Sequence, residues 1–245
     1  MFVYHTQRVK NTPLSIRICW RLFYVLQRFI PARFILRFLL NLVWLLWRLS
    51  CEQTDILLRE QKYAPGLDLL RPRNVEDAID GCVKGDRVCD FGGGGGNITH
   101  ALLQLGCDVV FSDIDPKVEA AALSRFGPSI NFRVENPMRV VTGQTGNYDL
   151  IVMSHVLEHI EDPHEFLLTL SGVTKAIHIE VPDIASEPLN YVRELLGMRI
   201  YKDDDHIIEM SLEYLANLVS NSNFRITSIV SRDACLVVRA VSKTR

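Results

Sequence analysis

The stretch Val88-Cys89-Asp90-Phe91-Gly92-Gly93-Gly94-Gly95-Gly96-Asn97-Ile98-Thr99 decides the reading of this chain. Arg87–Phe91 is a short apolar strand with its acid near the carboxyl end. Five glycines follow, and Asn97–Leu105 restarts as a helix. A linker of five glycines would not lie between an apolar strand and a helix. A second strand, Asp108–Ser112, ends at Asp113. Strands alternating with helical segments at this spacing predict a parallel, doubly wound sheet.

A strand, a glycine turn, a helix and an acid after the next strand form the plan of nucleotide-cofactor sites. Glycines let the backbone approach the ligand, and the acid pairs with ribose hydroxyls. The dinucleotide spacing G-x-G-x-x-G fails in both registers, because the third position falls on Asn97 or on Ile98. What fits is Asp90-x-Gly92-x-Gly94-x-Gly96.

The run VCDFGGGGGNIT resembles motif I of the class I S-adenosylmethionine-dependent methyltransferases. The resemblance implies a Rossmann-like α/β fold with a seven-stranded, mostly parallel sheet and an antiparallel last strand. It implies S-adenosylmethionine as cofactor, with Gly92, Gly94 and Gly96 facing its methionine part and Asp90 near its amino group. Asp113, followed by Ile114, would hold the adenosine ribose. A third strand, Asn131–Asn136, offers Glu135 or Asn136 to the adenine. Tyr148–Pro163, with Ser154-His155-Val156-Leu157-Glu158-His159, resembles the fourth-strand segment of members acting on quinones, sugars and similar metabolites. Ala176–Asp183 looks like the fifth strand. His206, a helix over Leu212–Asn221 and strands Phe224–Val230 and Cys235–Val241 complete the likeness, which covers about residues 60–245.

Methyl transfer from an activated donor asks the protein mainly for alignment and electrostatics. A general base is needed only where the acceptor loses a proton. Ligands bind outside the carboxyl ends of the strands. Ser154 is therefore expected beside the cofactor, and His155, as a neutral imidazole, is the first choice for base or acceptor-orienting group. His159 and Glu158 are second choices. His155 and His159 lack a third ligand at matching spacing, so no metal is expected. His178, alternating with apolar residues, reads as structural. The run Asp203-Asp204-Asp205 reads as a solvated loop, and Tyr191 and Tyr201 are candidates for an acceptor pocket.

The chain has 245 residues and net charge -2. The average hides an asymmetry: residues 1–50 hold eight Lys/Arg and no Asp/Glu, while the rest holds 19 basic and 29 acidic residues. The acidic remainder, with no Asn/Asp-Pro-Pro-aromatic segment after the fourth strand, argues against a nucleic-acid partner. Six scattered cysteines without a C-x-x-C pair predict neither a zinc site nor a disulfide framework, and fit a reducing, cytoplasmic setting.

From Leu14 to Ser50 the chain is rich in Leu, Ile, Phe, Trp and Arg, broken by Pro31, which predicts helices over about 14–30 and 32–50. Arg33, Arg37, Asn41 and Arg48 form a narrow polar stripe on the second. Its longest charge-free run, Phe38–Trp47, is half of what a spanning helix needs. An interfacial helix pair on a membrane surface is favoured over packing on the domain or a cleaved targeting segment. The expected organisation is a basic apolar extension over 1–50, a helical lead-in over 51–84 and a methyltransferase domain over 85–245. The expected acceptor is a small molecule, a glycan or a lipid-linked compound, with a non-catalytic cofactor-binding scaffold and a nicotinamide-dependent oxidoreductase as rivals.

Overall fold

A computed structural model describes residues 30–60, 72–127, 129–186, 188–198 and 205–244. Helix α1 covers Ala32–Glu60 and α2 covers Pro72–Ile79. The sheet then builds as β1 Arg87–Phe91, α3 Asn97–Leu105, β2 Asp108–Ser112, α4 Pro116–Phe126, β3 Phe132–Val134, α5 Pro137–Val141 and β4 Tyr148–Ser154. A 3-10 turn at Leu157–His159 leads to α6 Pro163–Leu170, β5 Thr174–Pro182 and α7 Pro188–Leu195. The chain closes with α8 Leu212–Asn221, β6 Phe224–Arg232 and β7 Cys235–Ser242.

The seven strands are ordered β3-β2-β1-β4-β5-β7-β6. β3 to β5 run parallel, and β7 is antiparallel to both β5 and β6. The expected sheet is therefore present, with β6 and β7 forming a terminal antiparallel hairpin. Central strands buried on both faces need continuous apolar runs. Val88, Cys89, Val109, Val110, Phe111, Ile151, Val152 and Met153 supply them, each fully buried. Order reverses between β1 and β4, and the crevice outside their carboxyl ends is where ligands bind in such sheets.

Two helices differ from expectation. The helix expected over 32–50 runs on to Glu60, across the boundary placed at residue 50. The added segment contains no glycine or proline, the first breaker being Pro65. The helix expected at Val75–Val83 starts at Pro72, whose fixed φ suits a first helical turn, and stops before Gly81 at φ 75°. The segment expected over 14–30 lies outside the described residues except for Ile30.

Helix α1 docks on α7. Leu40 is buried, Arg193 Nη2 donates to the Leu40 carbonyl at 3.3 Å, and the Arg37 guanidinium donates to the Leu196 carbonyl. Its polar stripe thus turns partly inward, while Phe34, Phe38, Val43, Leu45, Leu46 and Leu49 stay exposed. Phe38 is 67% accessible.

Candidate active site

The glycine loop is held by packing and by backbone conformation, which coincide at Gly92 and Gly96. Gly92, Gly94 and Gly96 have φ of 72°, 48° and 74°, a region that side chains disfavour. A Cβ on Gly92 would come within 2.4 Å of Val156 Cγ2, and one on Gly93 within 2.3 Å of Phe111 Cε2. A Cβ on Gly94 would meet only the Gly92 carbonyl oxygen at 3.9 Å, and one on Gly95 only the Asn97 side chain at 3.8 Å. The loop is therefore clamped by Val156, Phe111 and Phe126, the last within 2.8 Å of a Cβ on Gly96, and left bare at Gly94 and Gly95. Asp90, residues 92–98, Ser154 and Val75 line one cavity there. A bare backbone surface beside a buried carboxylate suits the methionine end of S-adenosylmethionine, and no glycine Cβ stands in its way.

Helix α3 has no side-chain cap from Gly96, its N-cap residue. Asp90 provides one from the strand: its Oδ2 accepts the Thr99 amide at 3.0 Å and the Thr99 hydroxyl at 2.6 Å. This satisfies an orphan donor of the first turn and places a negative charge at the positive end of the helix. Asp90 is 2% exposed. Burial pushes its carboxyl up from 3.8 to about 6, against the two Thr99 hydrogen bonds, and Asp113 adds to the rise. Asp113, expected at the ribose, ties the loop to β2: Oδ2 accepts the Gly94 amide at 3.1 Å and Oδ1 accepts the Asp115 amide at 2.9 Å. Ile114 is 91% exposed.

The two residues expected at the adenine have local partners instead. Glu135 pairs with Arg139 at 3.0 Å, and Asn136 caps α5 by accepting the Met138 amide at 2.9 Å. Neither lines the glycine-loop cavity.

At the carboxyl end of β4 the chain turns sharply, with His155 at φ 56° and its amide donating to the Glu180 carbonyl at 2.8 Å. The ring is bracketed. Nδ1 lies 3.3 Å from Glu158 Oε1, while Nε2 lies 3.5 Å from Glu180 Oε1 and 4.0 Å from Cys235 Sγ. Burial alone would lower this imidazole, but Cys235, Glu158 and Glu180 outweigh it and raise it to about 11. The neutral imidazole expected of His155 is thus not what its surroundings favour. Two carboxylates, Glu158 and Glu180, each about 1% exposed, hold it as a cation. Ser154 Oγ donates to Glu180 Oε2 at 3.4 Å.

Glu158 is the bridge to a second group. Its carbonyl accepts the Ile207 amide at 2.9 Å and the Ile208 amide at 3.2 Å, which draws in the segment after residue 204. His159 and His206 meet edge to face with centroids 4.9 Å apart. His159 Nδ1 lies 3.2 Å from the Asp205 carbonyl and His206 Nδ1 lies 2.9 Å from Glu209 Oε1. Asp203, Asp204 and Tyr201 lie outside the described residues, and Tyr191 is exposed. His178 is fully buried in β5, where burial and the Arg239 charge lower its imidazole to about 4, in keeping with a structural role.

Sequence reasoning missed Thr99, Phe111, Glu180 and Cys235. Only Glu180 carried a signal, as an acid inside the apolar run Ile177–Val181.

Comparison with known proteins agrees with this geometry. The methyltransferase-domain family matches residues 58–229. The ubiquinone biosynthesis O-methyltransferase of Bordetella avium is 30% identical over 121 residues, 47% of this chain and 50% of that protein. The Xanthomonas oryzae protein of the same name is 32% identical over 118 residues, 47% of this chain and 48% of the relative. The chain therefore spans about half the length of the curated relatives it matches. Among solved structures, the magnesium protoporphyrin IX methyltransferase of Synechocystis superposes with a TM-score of 0.59 at 17% identity, over 77% of this chain and 94% of that one. An S-adenosylmethionine-dependent methyltransferase of Mesorhizobium loti reaches 0.55 at 17% identity, over 72% and 100%. These two likenesses speak for the fold. With motif, sheet order and family match in agreement, the chain belongs to the methyltransferase-domain family, within the class I S-adenosylmethionine-dependent methyltransferases.

Proposed function

We propose that this chain transfers a methyl group from S-adenosylmethionine to an oxygen of a small-molecule acceptor, and that it works at a membrane surface. The observation that carries the first part is the bare glycine face beside Asp90 and Ser154 at the sheet's topological switch point. S-adenosylmethionine supplies an activated sulfonium methyl group. Gly92, Gly94, Gly96 and Asp90 bind its amino-acid end, and Asp113 steers the ribose while holding Gly94. The acceptor enters over Ser154 and His155.

In this reading His155 orients the acceptor as a fixed cation and does not take its proton. His159 suits proton acceptance better, because an Nδ1–H directed at the Asp205 carbonyl leaves Nε2 with its lone pair. Glu158, between the two in sequence, anchors the segment after residue 204 through its carbonyl. The relatives named for ubiquinone biosynthesis support an O-methyl acceptor of phenolic type.

The second part rests on α1. No helix among the described residues is long and apolar enough to cross a membrane. Yet α1 presents Phe34, Phe38, Leu45, Leu46 and Leu49 outward beside Arg33, with no acid in its first turn. Exposed apolar side chains of this number mark an interaction surface, and arginine beside them suits anionic headgroups. A peripheral, cytoplasm-facing protein with a lipid-linked acceptor follows.

Calorimetric titration of the full chain with S-adenosylmethionine and with NADH tests the cofactor. Saturable binding of the former alone, lost in Gly94→Asp, is expected; binding of NADH alone overturns the reading. Transfer of labelled methyl to a phenolic acceptor, measured with and without anionic vesicles, then separates an enzyme from a cofactor-binding scaffold. Sedimentation with the vesicles is expected, and a protein that stays in the supernatant refutes the membrane part.

A further inference from the structure

Three donors of different chemistry converge where β4, β5 and β7 end: His155 from the turn after β4, Glu180 from β5 and Cys235 from the first position of β7. One ligand atom from each lies within 4.8 Å of the others. We propose that His155 Nε2, Glu180 Oε1 and Cys235 Sγ form a binding site for a borderline-soft divalent cation of the zinc or cobalt type.

The distances are those of a coordination sphere. Metal bonds of about 2.0–2.1 Å to nitrogen and oxygen and about 2.3 Å to sulfur, at tetrahedral angles, separate N from O by about 3.4 Å and N from S by about 3.6 Å. Here Nε2 stands 3.5 Å from Glu180 Oε1 and 4.0 Å from Cys235 Sγ. Closure by a few tenths of an ångström would seat an ion. The first separation is long for a hydrogen bond, and Glu180 Oε1 is buried without one inside normal limits. The imidazolium of His155 faces this oxygen in the metal-free protein, and a divalent cation would take the place of the Nε2 proton, so that uptake releases a proton and keeps positive charge beside Glu180.

The surroundings support the donors as metal ligands usually are supported. Glu158 Oε1 lies 3.3 Å from His155 Nδ1, a carboxylate behind the ring that fixes its tautomer and orientation and leaves Nε2 for the ion. Ser154 Oγ occupies the other oxygen of Glu180. Cys235 is set by a tight hairpin turn, Asp233-Ala234, with φ of 50° and 64°, and by the Asp183 amide donating to the Ala234 carbonyl at 2.9 Å. His155 too sits at positive φ. Backbone that is uncommon for non-glycine residues therefore flanks two of the three donors. Three protein ligands leave a fourth position, and the His155 side chain, 32% accessible, is the open side.

The site is distinct from the neighbouring group of Glu158, His159 and His206, which offers only nitrogen and oxygen. The thiol makes the difference observable. Cobalt(II) titration of the full chain, purified with chelator and reductant, should give one equivalent of tight uptake with a thiolate-to-cobalt charge-transfer band and intense tetrahedral visible bands. Zinc should bleach both. Cys235→Ser should lose the charge-transfer band. Glu158→Gln, which removes the charge behind His155, should weaken uptake about 10- to 100-fold while the charge-transfer band stays. His206→Gln should leave the band in place. If Cys235→Ser fails to fold by circular dichroism, Glu180→Gln supplies the same test through a shifted band and weaker uptake. No uptake by the folded wild type overturns the site. So does a charge-transfer band that persists in Cys235→Ser or disappears in His206→Gln. None of these readouts depends on methyl transfer or on an acceptor.

Discussion

The glycine loop and the His155 cluster sit at the same edge of the sheet, at neighbouring strand ends, yet they are built in opposite ways. The loop is one contiguous run in which a strand end, five glycines and a helix start fix one another over a dozen residues. The cluster is assembled from β4, β5 and β7, with 80 residues between His155 and Cys235. In the loop the polar group, Asp90, spends its hydrogen bonds on its own helix. In the cluster the polar groups spend theirs on each other. A local site is thus defined by backbone conformation, whereas a non-local one is defined by charge balance.

That difference predicts where damage is greatest. Removing one partner of a buried charged group costs about 3–5 kcal/mol, because the remaining charges are left uncompensated. Glu180→Ala is expected to cost about 3 kcal/mol in chelator-treated protein, read as a lower denaturant midpoint with an unchanged slope. A cost below about 1 kcal/mol would mean that Glu158 alone balances His155.

The loop should respond to volume position by position. Gly93→Ala drives a methyl group into the Phe111 ring and should cost about 2 kcal/mol, as overpacking does. Gly95→Ala, with ordinary φ and nothing near but Asn97 at 3.8 Å, should change stability by less than about 1 kcal/mol. Equal effects in thermal melts of the two variants would show that the loop is held by chain flexibility and not by packing.

How legible each region was follows from the same contrast. The first two strands, Arg87–Phe91 and Asp108–Ser112, and the Leu212–Asn221 helix could be read because they depend on local periodicity and turn residues, whereas the seven-stranded sheet was expected only from the family resemblance. Asp90 could be singled out, but its partner Thr99 could not, since a threonine in a helix start carries no mark of what it accepts or donates. Cys235 read as a small hydrophobe, which it is by burial; only its approach to His155 from the far hairpin gives it chemistry. The expectation of no metal rested on spacing along the chain, and spacing cannot see donors such as Glu180 and Cys235 that arrive beside His155 from other strands.

A titration isolates the loop. The Asp90 carboxyl is raised from 3.8 to about 6 by burial. A group with a raised folded value contributes stability that is fully present below 3.8 and is lost as pH rises through 6. Wild type should therefore gain about 1 kcal/mol relative to Asp90→Asn between pH 7.5 and pH 5. The difference between the two proteins is the quantity to measure, because buried His178, lowered to about 4, works in the opposite direction in both. A flat difference would mean that water reaches Asp90 along the cavity.

The smallest effect concerns Asn136, where a local role competes with a cofactor role. Its side chain accepts the Met138 amide at 2.9 Å at the start of α5, the arrangement of an N-cap. Loss of such a cap costs about 1 kcal/mol, and serine restores it. Asn136→Ala should lower the melting temperature modestly, Asn136→Ser should recover most of the loss, and neither should change S-adenosylmethionine affinity more than about twofold, under 0.5 kcal/mol. A tenfold weakening in both variants would instead show that the amide turns from Met138 to the adenine when the cofactor enters. The side chain would then belong to the cofactor site first and to the helix only in its absence.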